Sequence, residues 1–372
     1  MAISPPFLDF SHIIFQVIQD RVETEEVDVS QLNWIQFHRV NMLFYQHSKA
    51  NPKKYPFHPR LEQYAIQQVI KNKAHLQEWT RLATRFALHQ IPILPHKGLI
   101  WQFEWYGNKP RRDISDMDIW VPPSHAAQAL QLLHQDGYTS ASLPSLDTNV
   151  INEVVKLAPN PEVSLVKQPS KGTKISLDFH WGIRGIHGPE LSFQEVWEEA
   201  KPWSLGGMAP STKHQFQLLL IHHGSKDTWM HLKTVIDLYH FLNWCQTDNQ
   251  TLIQWASELN LAESFLQGRY LLFQLGWMPE PAQPPNNLPN VHRILSFWQK
   301  TRNWKSTEFK WHHHVMMRNS YFPPLSWWQM GNDLLNYHGH YSKLDQDRWI
   351  KFPQHWRLMN VISKYGTYLF RK

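Results

Sequence analysis

Residues 111–121 read RRDISDMDIWV, and the predicted fold is built around this segment. Asp116 and Asp118 lie two residues apart and alternate with the apolar Met117 and Ile119. Because side chains along a strand alternate between its two faces, one face is apolar and the other carries two carboxylates. Like charges held together are costly unless a cation or a shared proton compensates them. The stretch therefore predicts a strand that builds a metal site, with Mg2+ expected because it prefers oxygen ligands and leaves room for substrate phosphates.

A second segment, residues 173–181, repeats this pattern with one carboxylate. Its apolar residues fall on one face, whereas Asp178 and His180 fall on the other. Residues 162–167 form another strand-like run, and the turn-rich sequence at 168–172 predicts a hairpin between the two strands. We favour a structural role for His180 over help to a metal or a base.

The run IPILPHKG at residues 91–98 predicts a short edge strand, because its two prolines are tolerated only at an edge or a first strand position. Lys97 and Gly98 then lie on a strand-to-helix turn, where a helix start favours anions and the lysine adds a mobile positive charge for phosphate. Arg112, four residues before Asp116, is predicted to add a bidentate phosphate contact. Together with the three carboxylates, these residues meet the needs of metal-assisted nucleotidyl transfer.

Helical periodicity surrounds these strands. It predicts two amphipathic helices between residues 7 and 49 and a long helix from Arg60 to about residue 89. Ser124 is predicted to be the N-cap of a helix that ends near Gly137. After Leu191 the sequence predicts helices only, interrupted by a proline-rich linker at residues 279–289.

The predicted fold class is α+β, with a small mixed β-sheet core flanked by helical regions. The core is expected over residues 76–185, after an N-terminal helical segment at 1–75. A helical region at 186–285 and a C-terminal helical extension at 286–372 are expected to follow.

Composition narrows the kinds of ligand and the cellular setting that we expect. Lys and Arg number 37 against 31 Asp and Glu, so the net charge of +6 favours an anionic ligand. The basic residues are scattered, which argues against dedicated nucleic-acid binding. The single cysteine, Cys245, excludes an intramolecular disulfide and a multi-cysteine zinc site and favours a reducing cytoplasm. No leader and no apolar run of about 18 residues is present, so we expect a cytoplasmic protein that does not enter a membrane.

Two histidine groups suggest further metal sites. His222, His223, His231 and Asp237 lie on or between two predicted helices, but we favour polar helix packing for them, because adjacent residues diverge by about 100° on a helix. Consecutive histidines at 312–314 cannot share one helical face. The P-loop, the dinucleotide glycine fingerprint, the kinase signatures and the zinc-peptidase histidine pair are all missing.

Four motifs resemble those of the uncharacterised nucleotidyltransferase family of bacteria, a branch of the polymerase-beta-like nucleotidyltransferase superfamily. The resemblance covers roughly residues 10–280. The motifs are HKG at 96–98, RDISDMDIWV at 112–121, DFHW at 178–181 and LLLIHHGSKDTWMHLKTVIDLYHFL at 218–242.

The resemblance implies that Asp116, Asp118 and Asp178 are the catalytic ligands of Mg2+ or Mn2+, and that Lys97 and Gly98 bind nucleotide phosphate. We therefore predict an enzyme that moves a nucleoside monophosphate from an NTP to an acceptor hydroxyl. The acceptor is left open among a small molecule, a protein and RNA. The alternative is a module that binds nucleotide without transfer.

Overall fold

The computed structural model describes residues 35–50, 59–107, 111–140, 161–168, 172–184, 189–300 and 315–321, with 151, 155, 324, 326–329 and 359. These residues form an α+β fold, as predicted, in two compact units that interleave along the chain. The first unit takes the described residues of 1–70, 101–113 and 222–324, and the second takes those of 71–100, 114–221 and 325–372. The predicted division into four consecutive segments stays a prediction.

The elements follow one another in this chain order: α1 (Asn41–Ala50), α2 (Pro59–Leu88), β1 (Leu94–His96), α3 (Gly98–Glu104), β2 (Met117–Trp120), α4 (Pro123–Gln135), β3 (Glu162–Lys167), β4 (Ile175–His180), β5 (Ile183–Arg184), β6 (Glu190–Leu191), α5 (Phe193–Glu198), β7 (Lys201–Pro202), β8 (Met208–Ala209), α6 (Thr212–Leu219), a π-helix (Leu220–Lys226), α7 (Leu232–Cys245), α8 (Asn249–Ser257), α9 (Ala262–Gln274) and α10 (Leu288–Lys300).

A four-stranded sheet with the order β1-β2-β4-β3 forms the centre of the second unit. Strands β2 and β4 run parallel, whereas β1 pairs with β2 and β3 with β4 in antiparallel fashion. The structure confirms the mixed sheet, the edge position of the proline-containing β1 and the hairpin of β3 with β4. The apolar side chains of Ile119, Leu177 and Phe179 are completely buried, as the period-two pattern predicts.

Helix α4 is present as predicted, but it does not begin where the sequence predicts. Ala126, Ala129 and Leu133 are completely buried. The N-cap position is taken by Pro122 rather than Ser124, and no side chain caps the helix there. The prediction of a Ser124 cap was therefore wrong, because the helix already begins at Pro123. Proline suits the first helical turn, since its fixed φ is helical and its missing N–H would have no partner there.

A short hairpin of β7 and β8 interrupts the region where the sequence predicted helices only. Its turn needs the positive φ angles of Gly206 and Gly207, and the buried indole of Trp79 on α2 donates to the Gly206 carbonyl over 3.1 Å. Two-residue strands are too short to leave a periodic signal in sequence, which explains why the prediction missed them.

The first unit packs its helices around Trp229, whose side chain is completely buried. Its indole N–H donates to the Ser264 carbonyl over 2.9 Å. The proline-rich segment before α10 is held by the buried Glu263 of α9, because the Glu263 carboxylate accepts hydrogen bonds from the backbone N–H groups of Asn286 and Asn287. The proline-rich segment is thus hydrogen-bonded to α9.

No helix among the described residues combines the length and apolar character needed to cross a bilayer. The helices predicted before residue 35, the histidines at 312–314 and most of the C-terminal extension lie outside the described residues.

The close packing at Gly268 on α9 gives a test of the first unit. A Cβ atom there would lie 2.7 Å from Leu238 Cδ2 and 2.9 Å from the fixed indole of Trp229. We expect Gly268→Ala to lower the free energy of unfolding by about 1–3 kcal/mol, the usual cost of overpacking. Urea denaturation measures this, with the exposed Gln254→Ala on α8 as a control expected to change little. Unchanged stability of the Gly268 variant would contradict the packing.

Candidate functional site

Asp118 and Asp178 face each other across two parallel strands. They are register partners on β2 and β4, and Asp116 lies at the bend immediately before β2. One carboxylate oxygen from each of the three residues lies within 4.8 Å of the other two. Asp118 is buried, while Asp116 and Asp178 are half-buried. The structure thus brings the three predicted metal ligands together at one place in the sheet.

A polar row crosses the whole sheet at this level. His96 on β1 is the register partner of Asp118, and Ser164 on β3 is the register partner of Asp178. The Ser164 hydroxyl donates to Asp178 Oδ1 over 2.7 Å. Because register partners project from the same face, four strands each contribute one polar side chain to this face.

Lys97 supplies the positive charge nearest to the carboxylates. Its Nζ lies 2.9 Å from Asp118 Oδ1, and both side chains are largely buried. The backbone of Lys97 has a φ of 54°, which is unusual for a residue with a side chain and marks a turn held by its surroundings. Gly98 follows, and a Cβ atom there would lie 3.3 Å from the Asp116 carbonyl oxygen, so a glycine keeps the turn close to the acidic residues.

His180 links the acidic residues to the outer strand. Its Nε2 lies 3.2 Å from Asp118 Oδ1 and its Nδ1 lies 3.3 Å from Glu162 Oε2. The ring also packs edge-on against His96, with centroids 5.3 Å apart. The contacts hold Asp118 in place, in keeping with the structural role favoured for His180.

The two register partners have opposite pKa shifts. Burial favours the neutral form of Asp118, but the ammonium of Lys97 and the hydrogen bond from His180 hold its pKa well below the ordinary value. Burial and the neighbouring charge of Asp118 raise the pKa of Asp178, against the effect of the Ser164 hydrogen bond. A divalent cation shared by the carboxylates would remove the repulsion that raises the pKa of Asp178. The acidic cluster therefore fits such an ion in charge and in ligand type.

Helix α2 adds residues that the sequence analysis missed. His75 is completely buried, and neither ring nitrogen has a hydrogen-bond partner within the part of the chain that the structure describes. Burial and the charge of Lys71 lower the pKa of His75 to about 4, against the attraction of Asp118. Burial and the charge of Lys174 also lower the pKa of Lys71, whereas the charge of Asp116 acts to raise it. The four-residue spacing of Lys71 and His75 on a long helix is the signal that could have found them.

Arg112 belongs to the first unit, where it forms a buried ion pair. Its Nε and Nη2 donate to the two carboxylate oxygens of Asp237 over 2.8 and 2.9 Å, and its guanidinium lies 5.3 Å from the ring centroid of Trp101. The hydroxyl of Tyr106 donates to the same carboxylate over 2.6 Å. This network gives Arg112 a structural role, while its predicted contact with phosphate stays a prediction.

Comparison with known proteins places the chain in a family. The sequence model of a family described as uncharacterised nucleotidyltransferase matches residues 27–276, more than half of the chain, so the chain belongs to this family. No curated protein matches it.

The buried ion pair of Arg112 predicts a large loss of stability when it is broken. Arg112→Ala would leave the Asp237 carboxylate buried without its bidentate partner, which costs about 3–5 kcal/mol in comparable sites. The exposed pair of Arg184 with Glu190 offers a matched control, and we expect Arg184→Ala to change stability by less than about 0.5 kcal/mol. Equal, small effects of both substitutions in urea denaturation would contradict this assignment.

The opposite pKa shifts predict opposite effects of two conservative substitutions in metal-free protein near neutral pH. Asp178→Asn removes a charge that is unfavourable beside Asp118, so we expect its Tm to equal or exceed that of the wild type. Asp118→Asn removes the ionised partner of Lys97 and His180, so we expect a lower Tm.

The pH dependence follows from the same shifts. The higher Tm expected for Asp178→Asn exists at pH values above the raised pKa of Asp178. It disappears as the pH falls below that pKa, because the wild-type carboxyl then carries a proton itself. Thermal denaturation in EDTA over a pH series measures both effects. A Tm loss for Asp178→Asn as large as that for Asp118→Asn would show that the two carboxylates do not differ as described.

Proposed function

We propose that the chain transfers a nucleoside monophosphate from an NTP to an acceptor hydroxyl, with Asp116, Asp118 and Asp178 as its catalytic metal ligands. The observation that carries this proposal is the convergence of the three carboxylates, whose oxygens lie within 4.8 Å of one another beside Lys97. Membership of a nucleotidyltransferase family supports the reaction class.

In this proposal the three carboxylates hold Mg2+ or Mn2+. When bound, such ions polarise the attacking oxygen and neutralise the charge of the leaving pyrophosphate. The acceptor oxygen forms a bond to the α-phosphorus as the bond from this phosphorus to the oxygen bridging to the β-phosphate breaks. Pyrophosphate leaves, and the acceptor hydroxyl gives up its proton to solvent water. Positioning and charge compensation by the protein supply most of the acceleration in such reactions.

Lys97 is proposed to bind the triphosphate. Burial opposes its charge, but Asp118 keeps the pKa of Lys97 above its ordinary value, so the ammonium stays protonated. It neutralises Asp118 over 2.9 Å in the structure. With divalent charge on the carboxylates, this neutralising role is no longer needed, and the ammonium is available for phosphate. Gly98 contributes by keeping the Lys97 turn close to Asp116.

The acceptor is proposed to be a small molecule, a protein or RNA, and the setting to be the cytoplasm, in keeping with the single cysteine. The basic balance of the chain permits each of these acceptors. Labelled nucleotide that enters a macromolecular fraction separates protein and RNA from a small-molecule acceptor.

Nucleotide turnover gives the test of the proposal. Purified protein is incubated with each NTP and Mg2+ or Mn2+, and pyrophosphate release and label transfer are followed with and without a cell extract as the source of acceptor. We expect Asp116→Asn and Asp178→Asn each to lower the rate at least about 10³-fold, because both remove charge that holds the ion. Both substitutions keep the Lys97–Asp118 pair, which Asp118→Asn would break.

Glu190→Gln, an exposed acid of the same unit, is the control and should keep the wild-type rate. Retained turnover in both aspartate variants would end the proposal. An NTP-dependent rise of Tm that needs the carboxylates, without pyrophosphate release under any condition, would instead support the module that binds nucleotide without transfer.

A further inference from the structure

Three side chains of the first unit converge on the π-helix. His222 Nδ1, His223 Nδ1 and Asp227 Oδ2 form a triangle in which each pair of atoms is 3.1 Å apart. His223 is buried, whereas the side chains of His222 and Asp227 are 23% and 26% exposed. The triangle therefore has a protected corner and two corners that solvent can reach.

The π-helix explains why adjacent histidines converge. The Asp227 N–H donates to the His222 carbonyl over 2.8 Å, a bond between residues five apart. Asp227 thus lies one turn away from both His222 and His223, at separations of five and four residues. We expected the two rings to diverge as on an α-helix, and this prediction was wrong, because both rings reach Asp227 across the wider turn. Such π-helical turns are frequent at functional sites.

Protons alone leave one of the three short contacts of this triangle without a hydrogen bond. Each imidazole has a single hydrogen position at Nδ1, so it can donate to the carboxylate or to the other ring, but not to both. At most two of the three short contacts can then be hydrogen bonds. A cation that accepts a lone pair from each corner satisfies all three atoms at once.

The size of the triangle suits a small divalent ion. With donor bonds of about 2.0–2.1 Å, ligand atoms lie about 3.3 Å apart in a tetrahedral shell and about 2.9 Å apart on an octahedral face. The observed 3.1 Å lies between these values. The spacing of the three donor atoms therefore matches that of ligand atoms around such an ion.

The far side of His223 has the partner that a metal-bound histidine needs. Its Nε2 lies 2.8 Å from Asp237 Oδ2, and Asp237 is completely buried. Arg112 donates to both oxygens of the same carboxylate over 2.8 and 2.9 Å, an arrangement that suits an ionised Asp237 that accepts from its neighbours. A His223 ring that donates from Nε2 to Asp237, and carries no second proton, presents the lone pair of its Nδ1 to the triangle. Metal-bound histidines are commonly oriented by carboxylates in this way.

We propose that His222, His223 and Asp227 bind a divalent transition-metal cation of the Zn2+ class, at a second cation site with chemistry unlike that of the three aspartates. Two imidazoles and one carboxylate favour Zn2+ and its neighbours over Mg2+, which prefers oxygen ligands. Three protein ligands leave a coordination position for water or another ligand on the solvent side. Asp237 acts as a positioning residue, because it contacts the His223 ring. The Asp237 carboxylate is held in turn by Arg112 and Tyr106.

Metal titration of the full chain tests the proposal without nucleotide, so its outcome does not depend on nucleotidyl transfer. Protein freed of metal with a chelator is titrated with Zn2+ by calorimetry and with Co2+ by visible absorption, which reports imidazole coordination in a low-symmetry site. We expect one tight site per chain and a rise of Tm on Zn2+ binding. Asp116→Asn with Asp178→Asn should leave this site intact.

Asp227→Asn and His222→Ala are the informative variants, since both positions are partly exposed and the His223–Asp237 contact is kept. Each should weaken Zn2+ binding by more than about 100-fold, because loss of only an outer-shell partner already costs about 10–100-fold. His292→Ala, an exposed histidine on α10, controls for adventitious histidine binding and should bind as the wild type does. Circular dichroism confirms that the variants are folded.

Two results would overturn the proposal. One is a wild type that binds Zn2+ no more tightly than the Asp227→Asn and His222→Ala variants. The other is a tight site that His292→Ala removes and these two substitutions do not. In either case the contacts of His223 with Asp227 and Asp237 would have a purely structural role.

Discussion

The parallel pairing of β2 with β4 places the Asp118 and Asp178 carboxylates side by side, and the surrounding polar structure compensates for their repulsion. Lys97 and His180 both contact Asp118, while Ser164 donates to Asp178. This compensation is unequal, since Asp118 is stabilised as an anion and Asp178 is not. The charge that remains unbalanced on the Asp178 side is the feature that suits a divalent cation, and it follows directly from strand register.

The turn before α3 serves the same arrangement. Lys97 adopts a positive φ and is followed by a glycine whose missing side chain lets the backbone approach the Asp116 carbonyl. Both features are unfavourable or costly for an isolated segment, and they are kept where the surrounding packing fixes them. Local strain and buried charge thus occur together in the residues proposed to bind metal and nucleotide.

The first unit has its own buried charge network, centred on Asp237. Arg112, Tyr106 and His223 all contact its carboxylate, and through His223 this network reaches the triangle on the π-helix. A fully partnered buried carboxylate rigidifies its neighbours, because each partner would otherwise be left without compensation. The same network therefore accounts for the structural role of Arg112 and for the fixed orientation of the His223 ring.

Local sequence patterns were enough to predict the four strands of the central sheet and which residues on them carry carboxylates. Alternation at 117–120 and 175–180, prolines before Lys97 and the turn-rich link between β3 and β4 predicted the mixed sheet, because these signals are local and repeat every second residue. The pairing of charges that lie far apart along the chain depends instead on the tertiary fold. Asp237 lies 125 residues after its partner Arg112. The charge of Asp118 on β2 acts on His75 of α2, and the rings of His222 and His223 both reach Asp227 across a π-helical turn. No local pattern encodes these features, since burial and long-range contacts fix which charges meet and how that segment is wound.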